Sequence, residues 1–157
     1  MSNTIKVLFV CVHNAGRSQM AEALLRKLGG SSFEVASAGF EPRPVNPLVV
    51  EAMKLIGIDI GDAKSKSVFD LFRAGRYFDY VVTVCDESSA ERCPIFPGMT
   101  RRLGWSFDDP SGFKGTHDQQ LKQAIRVRDE IQERIGTWLA DLPNLPRSLH
   151  APDRLNT

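Results

Sequence analysis

Residues 11–18, with the sequence CVHNAGRS, restrict the fold of this chain more than any other stretch. They follow an apolar, β-branched run at residues 5–10, which predicts a buried strand, and they precede a helix-forming run without a breaker before Gly29. The octapeptide is therefore predicted to be a strand-to-helix loop. In such a loop, successive backbone N–H groups and the positive end of the helix dipole surround one point, where an oxyanion binds well.

Cys11 stands at the entrance to this loop and Arg17 near its end, so one short stretch contains a nucleophile and a cation. Positive charge beside a thiol favours the thiolate form, and we therefore predict a reactive thiolate at Cys11. Ser18 is expected to donate a hydrogen bond to that thiolate and to act as the N-cap of the helix. The alternative is a buried structural cysteine, with Gly16 in a turn and Arg17 at the surface. That alternative explains a lone cysteine, but it does not explain why a glycine, an arginine and a serine follow Cys11 in the same loop.

The rest of the chain alternates strand and helix patterns. This predicts an α/β fold with a single four-stranded parallel sheet and helices on both faces. The predicted strands are residues 5–10, 33–37, 80–84 and 101–105, and the predicted helices are residues 19–28, 47–56, 67–72 and a long last helix that begins at a Thr116–Gln119 capping box. Right-handed crossovers bring the carboxyl ends of the strands to one edge, where Cys11, Cys85 and Asp109 are expected to meet.

A chain of 157 residues with 42% hydrophobic residues suits one domain with a substantial core. We assign this domain to residues 1–141 and a proline-containing tail to residues 142–157, where the apolar periodicity ends. The net charge of +1, without a basic cluster, gives no support to binding of nucleic acid or a membrane surface. Small molecules or proteins are the expected partners, and a monomer is the expected state.

The apolar N-terminal run is too short for a signal peptide and no stretch is long enough to span a bilayer, so a cytoplasmic protein is expected. In that reducing compartment, the odd number of three cysteines indicates reactive thiols rather than a disulfide framework. Metal binding is disfavoured, because Cys85 and Cys93 lack zinc-finger spacing and the histidines form no ligand pair with them.

Four stretches together resemble a known family: residues 11–18 (CVHNAGRS), 82–85 (VTVC), 93–94 (CP) and 107–110 (FDDP). The chain is similar to the thioredoxin-coupled arsenate reductases, which share the low-molecular-weight tyrosine phosphatase fold, over roughly residues 4–140. The Cys-to-Arg loop alone is typical of the whole superfamily. The pair Cys85 and Cys93 indicates the reductase branch.

The resemblance implies a role for each of these residues. Arsenate would bind in the loop, Cys11 would attack arsenic, and Asp109 would protonate the departing oxygen. Cys85 would then attack Cys11 and release arsenite, and Cys93 would attack Cys85, leaving a disulfide that thioredoxin or another thiol reductant reduces. No bound cofactor is needed. The residues that would surround the substrate are Val12, His13, Asn14, Ala15, Gly16, Arg17 and Ser18.

Three details bear on this assignment. Asp109 is preferred as the acid because it directly precedes Pro110, as in the phosphatase fold, whereas Asp108 is expected to cap the loop through its own backbone. Seven residues separate Cys85 from Cys93, one more than the spacing expected for the family. Ser111 follows the Asp-Pro pair, where the phosphatase branch has an aromatic residue that flanks phosphotyrosine. Its absence favours a small inorganic substrate.

Two other functions are compatible with the same loop. The main alternative is a low-molecular-weight protein tyrosine phosphatase that hydrolyses phosphate monoesters with Cys11, Arg17 and Asp109, the other cysteines being incidental. An oxyanion-binding or redox-sensing module without turnover is the third interpretation, which the intact Arg17 and Asp109 disfavour.

Several relatives of the reductase branch hold a potassium ion beside the anion loop, and Asn14, Glu22 and Ser37 match residues that would bind it. Our alignment places Lys66 where those relatives have the remaining acidic ligand. We expect the Lys66 ammonium group to pair with Glu22 in place of the ion, so that activity does not depend on potassium. The alternative is that Lys66 is a solvated surface lysine.

Overall fold

The computed structural model describes residues 4–85, 93, 95–98 and 100–142. Its strands are β1 (Ile5–Cys11), β2 (Phe33–Gly39), β3 (Tyr80–Thr83) and β4 (Arg101–Gly104). Its helices are α1 (Arg17–Gly29), α2 (Pro47–Lys54), α3 (Val68–Arg73) and α4 (His117–Asp141). Short 3₁₀ helices cover Gly30–Ser32 and Pro110–Gly112. The predicted tail beyond Leu142 and the segment 86–92 lie outside the described residues.

The four strands form one parallel sheet in the order β2-β1-β3-β4. Strand β1 pairs along its full length with β2, from Ile5 opposite Phe33 to Cys11 opposite Gly39. On its other side β1 pairs with β3, which in turn pairs with β4. Because the strands are parallel, their carboxyl ends lie along one edge, and Cys11 and Cys85 stand at that edge on neighbouring strands. The predicted four-stranded parallel sheet is confirmed.

Both faces of this sheet are covered. All residues of β3, and all residues of β1 except Lys6, are buried although successive side chains point to opposite faces. On one face, the Trp138 ring of α4 contacts the rings of Phe33 and Tyr80 at centroid distances of 5.9 and 5.1 Å. On the other face, α3 packs through Phe69 against Phe40, which directly follows β2. Strands buried on both sides explain the continuous apolar runs in the sequence.

The helix ends that the sequence predicts are largely present. Asn46 caps α2 through its side-chain oxygen, which accepts from the Leu48 N–H at 2.9 Å, with Pro47 in the first helical position. Thr116 and Gln119 form the reciprocal capping box at the start of α4. These caps supply partners for N–H groups that the helix itself leaves unpaired.

The prediction that Ser18 caps α1 is wrong. Helix α1 begins at Arg17, its N-cap is Gly16, and no side chain caps it. The physical reason is that the helix begins at Arg17, two residues earlier than a cap at Ser18 requires. Ser18 lies inside the first turn, and its hydroxyl contacts Cys11 instead.

Within the described ranges, no helix combines the length and the apolar content that crossing a membrane requires.

Candidate active site

The backbone between β1 and α1, residues 12–16, is called here the anion loop, and the segment after β2 holds it in place. Backbone N–H groups of that segment donate to loop and strand-end carbonyl groups at N···O distances of 2.7–3.3 Å. The donors are Phe40, Glu41, Arg43 and Asn46, and the acceptors are Cys11, Val12, His13 and Ala15. In a trans peptide the N–H points away from the C=O. The N–H groups that follow these carbonyls are therefore turned toward the interior of the loop.

Gly39 allows the segment after β2 to approach the anion loop this closely. A Cβ atom at this position would lie 2.7 Å from the Asn14 nitrogen and 2.8 Å from the Val12 oxygen. Because both atoms belong to the backbone, neither could move aside without distorting the anion loop. Only glycine fits here, and the sequence analysis did not identify this requirement.

Asn14 is the structural centre of the anion loop. Its backbone has φ 53°, the left-handed region that asparagine tolerates better than most residues, and it is fully buried. Its side-chain NH₂ group donates to Ser18 Oγ at 2.7 Å and to Ser37 Oγ at 3.0 Å. Its side-chain oxygen accepts from Gln19 at 3.1 Å and from the Lys66 backbone N–H at 2.9 Å. One carboxamide therefore links the anion loop to α1, β2 and the start of α3.

Cys11 ends β1 with its thiol inside the anion loop and only 2% of the residue exposed. Its Sγ lies 2.8 Å from Ser18 Oγ and accepts from the Asn14 backbone N–H at 3.2 Å. Because Ser18 Oγ already accepts from Asn14, its own proton is available for Cys11. The predicted hydrogen bond between Ser18 and Cys11 is present.

Arg17 and Asp109 form an ion pair at the mouth of the loop. Arg17 Nη2 lies 3.3 Å from Asp109 Oδ2, and Arg17 Nη1 donates to the Phe107 carbonyl at 3.1 Å. The Arg17 side chain is 7% exposed and the Asp109 side chain 44% exposed. The Arg17 guanidinium group, which is the cation predicted in the loop, is thus paired with Asp109, the predicted acid.

The space left between these groups is small. A cavity of about 20 Å³ is bordered by Cys11, His13, Arg17 and Asp109. The Arg17–Asp109 contact lies at the edge of this cavity.

Asp109 is held as a carboxylate in this arrangement. Burial acts to raise its pKa, but the Ser111 N–H, the Arg17 guanidinium group and His13 together lower the pKa below its ordinary value. The Ser111 N–H donates to Asp109 Oδ1 at 2.9 Å. The expectation that Asp108 caps this loop through its own backbone is therefore wrong. Asp109 makes that turn, and Asp108 instead pairs with Arg126 of α4 at 3.0 Å.

The other two cysteines are buried thiols. Cys85 follows Val84, whose N–H donates to the Val10 carbonyl at 2.9 Å, so β3 stays paired with β1 almost to Cys85. Cys93 is 5% exposed, and burial raises its pKa although the positive charge of Arg102 acts in the opposite direction. A buried thiol with a raised pKa is a poor nucleophile at neutral pH.

The expected pairing of Lys66 with Glu22 is wrong. The Lys66 ammonium group bonds to the Lys64 carbonyl at 3.2 Å, and only the Lys66 backbone reaches Asn14. Glu22 pairs instead with Arg26 at 2.6 Å, one helical turn away, and accepts from Ser37 at 2.5 Å. The Arg26 guanidinium group thus supplies the positive charge that Lys66 was expected to bring to Glu22. With one carboxylate oxygen on Arg26 and the other on Ser37, these residues do not fit a potassium site.

Comparison with known proteins agrees with this geometry. Residues 6–147 match the family described as Low molecular weight phosphotyrosine protein phosphatase. An arsenate reductase of Halalkalibacterium halodurans is 42% identical over 133 residues, which cover 84% of this chain and 93% of the relative.

Two solved structures have the same fold. The thioredoxin-dependent arsenate reductase of Corynebacterium glutamicum aligns with a TM-score of 0.66 and 35% identity, covering 90% of this chain and 63% of that one. The low molecular weight protein tyrosine phosphatase of T. tengcongensis aligns with a TM-score of 0.70 and 25% identity, covering 88% and 99%. The chain belongs to the low molecular weight phosphotyrosine protein phosphatase family, within the branch whose curated members are named arsenate reductases. The resemblance drawn from the sequence is confirmed.

We predict that Asn14→Ala lowers the free energy of unfolding by about 2–4 kcal/mol, because several buried partners lose their hydrogen bonds and alanine is strained at positive φ. Urea unfolding followed by circular dichroism measures this change. Asn14→Gly is the matched control, since glycine removes the carboxamide but tolerates the backbone angle. It should be no less stable than the alanine variant. An alanine variant within about 0.5 kcal/mol of the parent would contradict the assigned role of Asn14.

We also predict that potassium does not affect this protein, because Arg26 already neutralises Glu22. Thermal unfolding and turnover should be the same in potassium and tetramethylammonium salts at equal ionic strength. In Arg26→Ala the Glu22 carboxylate loses its cation, and potassium should then raise the melting temperature through binding to the folded state. A several-fold gain in turnover of the parent protein with potassium would show that the ion site is retained.

Proposed function

We propose that this protein reduces arsenate to arsenite in the cytoplasm, with electrons supplied by its own thiols and then by thioredoxin or a similar dithiol reductant. The observation that carries the proposal is the position of Cys11 and Cys85, which leave neighbouring parallel strands at the same edge of the sheet. Cys11 lies in an oxyanion loop there. The relatives named arsenate reductases support the choice of substrate.

Binding of arsenate follows from the loop geometry. The inward-facing backbone N–H groups supply hydrogen-bond donors, the dipole of α1 supplies partial positive charge, and Arg17 supplies a full one. The arrangement also favours the transition state, because charge that develops on the arsenate oxygens meets donors already in place. Ser111, where an aromatic residue would be needed to flank a phenyl ring, leaves the entrance suited to a small anion.

Substrate binding also changes the protonation state of Asp109 in the proposed mechanism. The incoming anion takes Arg17 away from Asp109, and it places negative charge beside the carboxylate. Both changes raise the pKa of Asp109 from the lowered value that it has while it is paired with Arg17. The other charged or titratable groups facing it are His13 and Cys11. Asp109 therefore takes up a proton when the anion binds, and it becomes the acid that the reaction needs.

The electrons that reduce arsenic(V) to arsenic(III) come from the three cysteine thiols. The Cys11 thiolate forms a bond to arsenic(V) while Asp109 protonates the oxygen that leaves as water. The Cys85 thiolate then attacks Cys11 Sγ, a disulfide forms, and the sulfur–arsenic electron pair stays on arsenic, which departs as arsenic(III). Cys93 attacks Cys85 in the next exchange and frees Cys11. An external dithiol reduces the remaining Cys85–Cys93 disulfide.

Phosphate monoester hydrolysis is the second candidate function. It uses Cys11, Arg17 and Asp109 in the same way, and the similarity to a tyrosine phosphatase structure favours it. Arsenate reduction requires the thiols of Cys85 and Cys93, whereas phosphate monoester hydrolysis does not. The deciding experiment is therefore arsenate-dependent oxidation of thioredoxin, measured beside hydrolysis of p-nitrophenyl phosphate by the same preparation.

We predict that Cys85→Ser and Cys93→Ser each abolish multiple-turnover arsenate reduction but leave p-nitrophenyl phosphate hydrolysis within about threefold of the parent. Cys11→Ser should abolish both reactions, because a serine hydroxyl is not ionised at neutral pH. In Cys93→Ser the Cys11–Cys85 disulfide should accumulate and be detected by peptide mapping. If Cys93→Ser turns over normally with thioredoxin, Cys93 is not part of the relay.

We further predict that binding of sulfate, a dianion that does not titrate near neutral pH, is coupled to proton uptake by Asp109. Calorimetric titrations at about pH 6, in buffers of different ionisation enthalpy, measure this uptake. The background variant is Cys11→Ser, which removes the thiol as a proton acceptor.

Adding Asp109→Asn to that background should reduce the uptake, and adding Asp108→Asn should not, because Asp108 pairs with Arg126 rather than Arg17. Equal uptake with and without Asp109 would contradict the exchange of partners at Arg17.

A further inference from the structure

The segment that carries Asp109 is linked to α4 through Arg126. Arg126 Nη2 lies 3.0 Å from Asp108 Oδ2, and Arg126 Nη1 lies 3.0 Å from Glu130 Oε2, one turn further along the helix. The guanidinium carbon also lies 6.0 Å from the centre of the Phe113 ring, at the limit of a cation–π contact. Arg126 therefore contacts the chain on both sides of Asp109.

Asp108 lies between the two residues that contact Arg17. The Phe107 carbonyl accepts from Arg17 Nη1 at 3.1 Å, and Asp109 Oδ2 lies 3.3 Å from Arg17 Nη2. In an extended chain, neighbouring side chains point to opposite sides, and the backbone of Asp109 is extended, with φ −84° and ψ 116°. This explains why Asp109 faces Arg17 while Asp108 faces α4. A contact that holds Asp108 therefore limits the movement of both neighbours.

One guanidinium group makes the contacts with Asp108 and Glu130 in a fixed geometry. The group is planar, and its N–H groups point in set directions. Because Glu130 belongs to the same helix as Arg126, it holds one side of the group and leaves the other side facing Asp108. The three side chains are between 43% and 68% exposed, so these pairs add little to the free energy of unfolding. What they restrict is the position of the Asp109 segment relative to α4.

We propose, on the basis of the function proposed above, that Arg126 is a positioning residue, which acts through Asp108 to hold the Asp109 carboxyl group beside the bound anion. A general acid must lie within hydrogen-bond distance of the oxygen that it protonates. A small displacement of such a group lowers the rate strongly even where it hardly changes stability. Loss of Arg126 should therefore slow the step that Asp109 assists.

The test compares kcat/KM of the full chain for two aryl phosphates, because kcat/KM reports on the step that expels the leaving group. Phenoxide is a poor leaving group that needs a proton, whereas 2,4-dinitrophenoxide leaves without one. Arg126→Ala should lower kcat/KM for phenyl phosphate about fivefold, the rate equivalent of one exposed ion pair. The value for 2,4-dinitrophenyl phosphate should be nearly unchanged. A general weakening of the fold would lower both values equally.

Variants of Asp108 show whether Arg126 acts through that residue. Asp108→Ala should cause a similar loss with phenyl phosphate, and the double variant with Arg126→Ala should lose about the same amount again as either single variant does alone, not the product of the two losses. Asp108→Asn keeps an oxygen that Arg126 can reach and should behave as the parent. Arg134→Ala is the matched control, because Arg134 lies about two turns further along α4 and stands over the Trp105 ring at 5.2 Å instead.

A second measurement requires no turnover. The Ser111 N–H donates to Asp109 Oδ1 at 2.9 Å, so the hydrogen exchange of this amide, followed by NMR, reports on how firmly the turn at Asp109 is held. Arg126→Ala should speed the exchange about fivefold, and Arg134→Ala should leave it unchanged.

Unchanged exchange at Ser111 in Arg126→Ala would overturn the proposal, whether or not the protein hydrolyses either ester. Equal losses with the two esters in Arg126→Ala would also overturn it. Asp109→Asn identifies a failure of the proposed function instead, because that variant should itself lose more activity with phenyl phosphate than with the dinitrophenyl ester. If it does not, the assignment of Asp109 as the general acid is wrong.

Discussion

The site depends on one buried carboxamide. Asn14 fills all four hydrogen-bonding positions of its side chain, and its partners come from three different elements. Because its backbone is also in the left-handed region, the direction of the chain after Cys11 is fixed by the same residue. The anion loop gains little from apolar packing of its own. Its shape is determined by polar contacts that are satisfied inside the protein, where an unmade hydrogen bond is costly.

The second constraint concerns Arg17, which has two competing partners. In the structure it balances Asp109, so a buried cation beside the loop is not left without a counter-charge. The same pairing holds Asp109 as a carboxylate, which is the wrong form for the proposed general acid. In the proposed mechanism, the substrate would replace Asp109 as the partner of Arg17, so the anion would supply the counter-charge and the carboxylate would lose its cation. That mechanism needs no separate group to protonate the acid.

The order of strands and helices could be predicted from the sequence because each element is marked by residues within it or next to it. Apolar runs gave the strands, and Asn46 and the Thr116–Gln119 pair marked helix starts. The chemistry of the anion loop was equally visible in one octapeptide. What could not be predicted was which partner each charged side chain takes. Glu22 was assigned to the distant Lys66 but pairs with Arg26 one turn along the same helix. The turn expected of Asp108 is made by Asp109, and Asp108 pairs with Arg126 of α4 instead. The fit of Gly39 against Asn14 depends on the register between β1 and β2, which composition does not reveal.

The positions of the thiols restrict which of them can move during the proposed relay. Cys11 ends a strand that is buried on both faces, and its loop is bound on one side by the segment after β2 and on the other by Asn14. Cys11 is therefore held on both sides. The proposed relay requires the Cα atoms of each pair of reacting cysteines to come within about 7 Å of each other. Strand pairing holds β3 against β1 as far as Val84, which directly precedes Cys85. We therefore expect any change of position that the relay requires at Cys85 to begin after Val84, while Cys11 keeps its place.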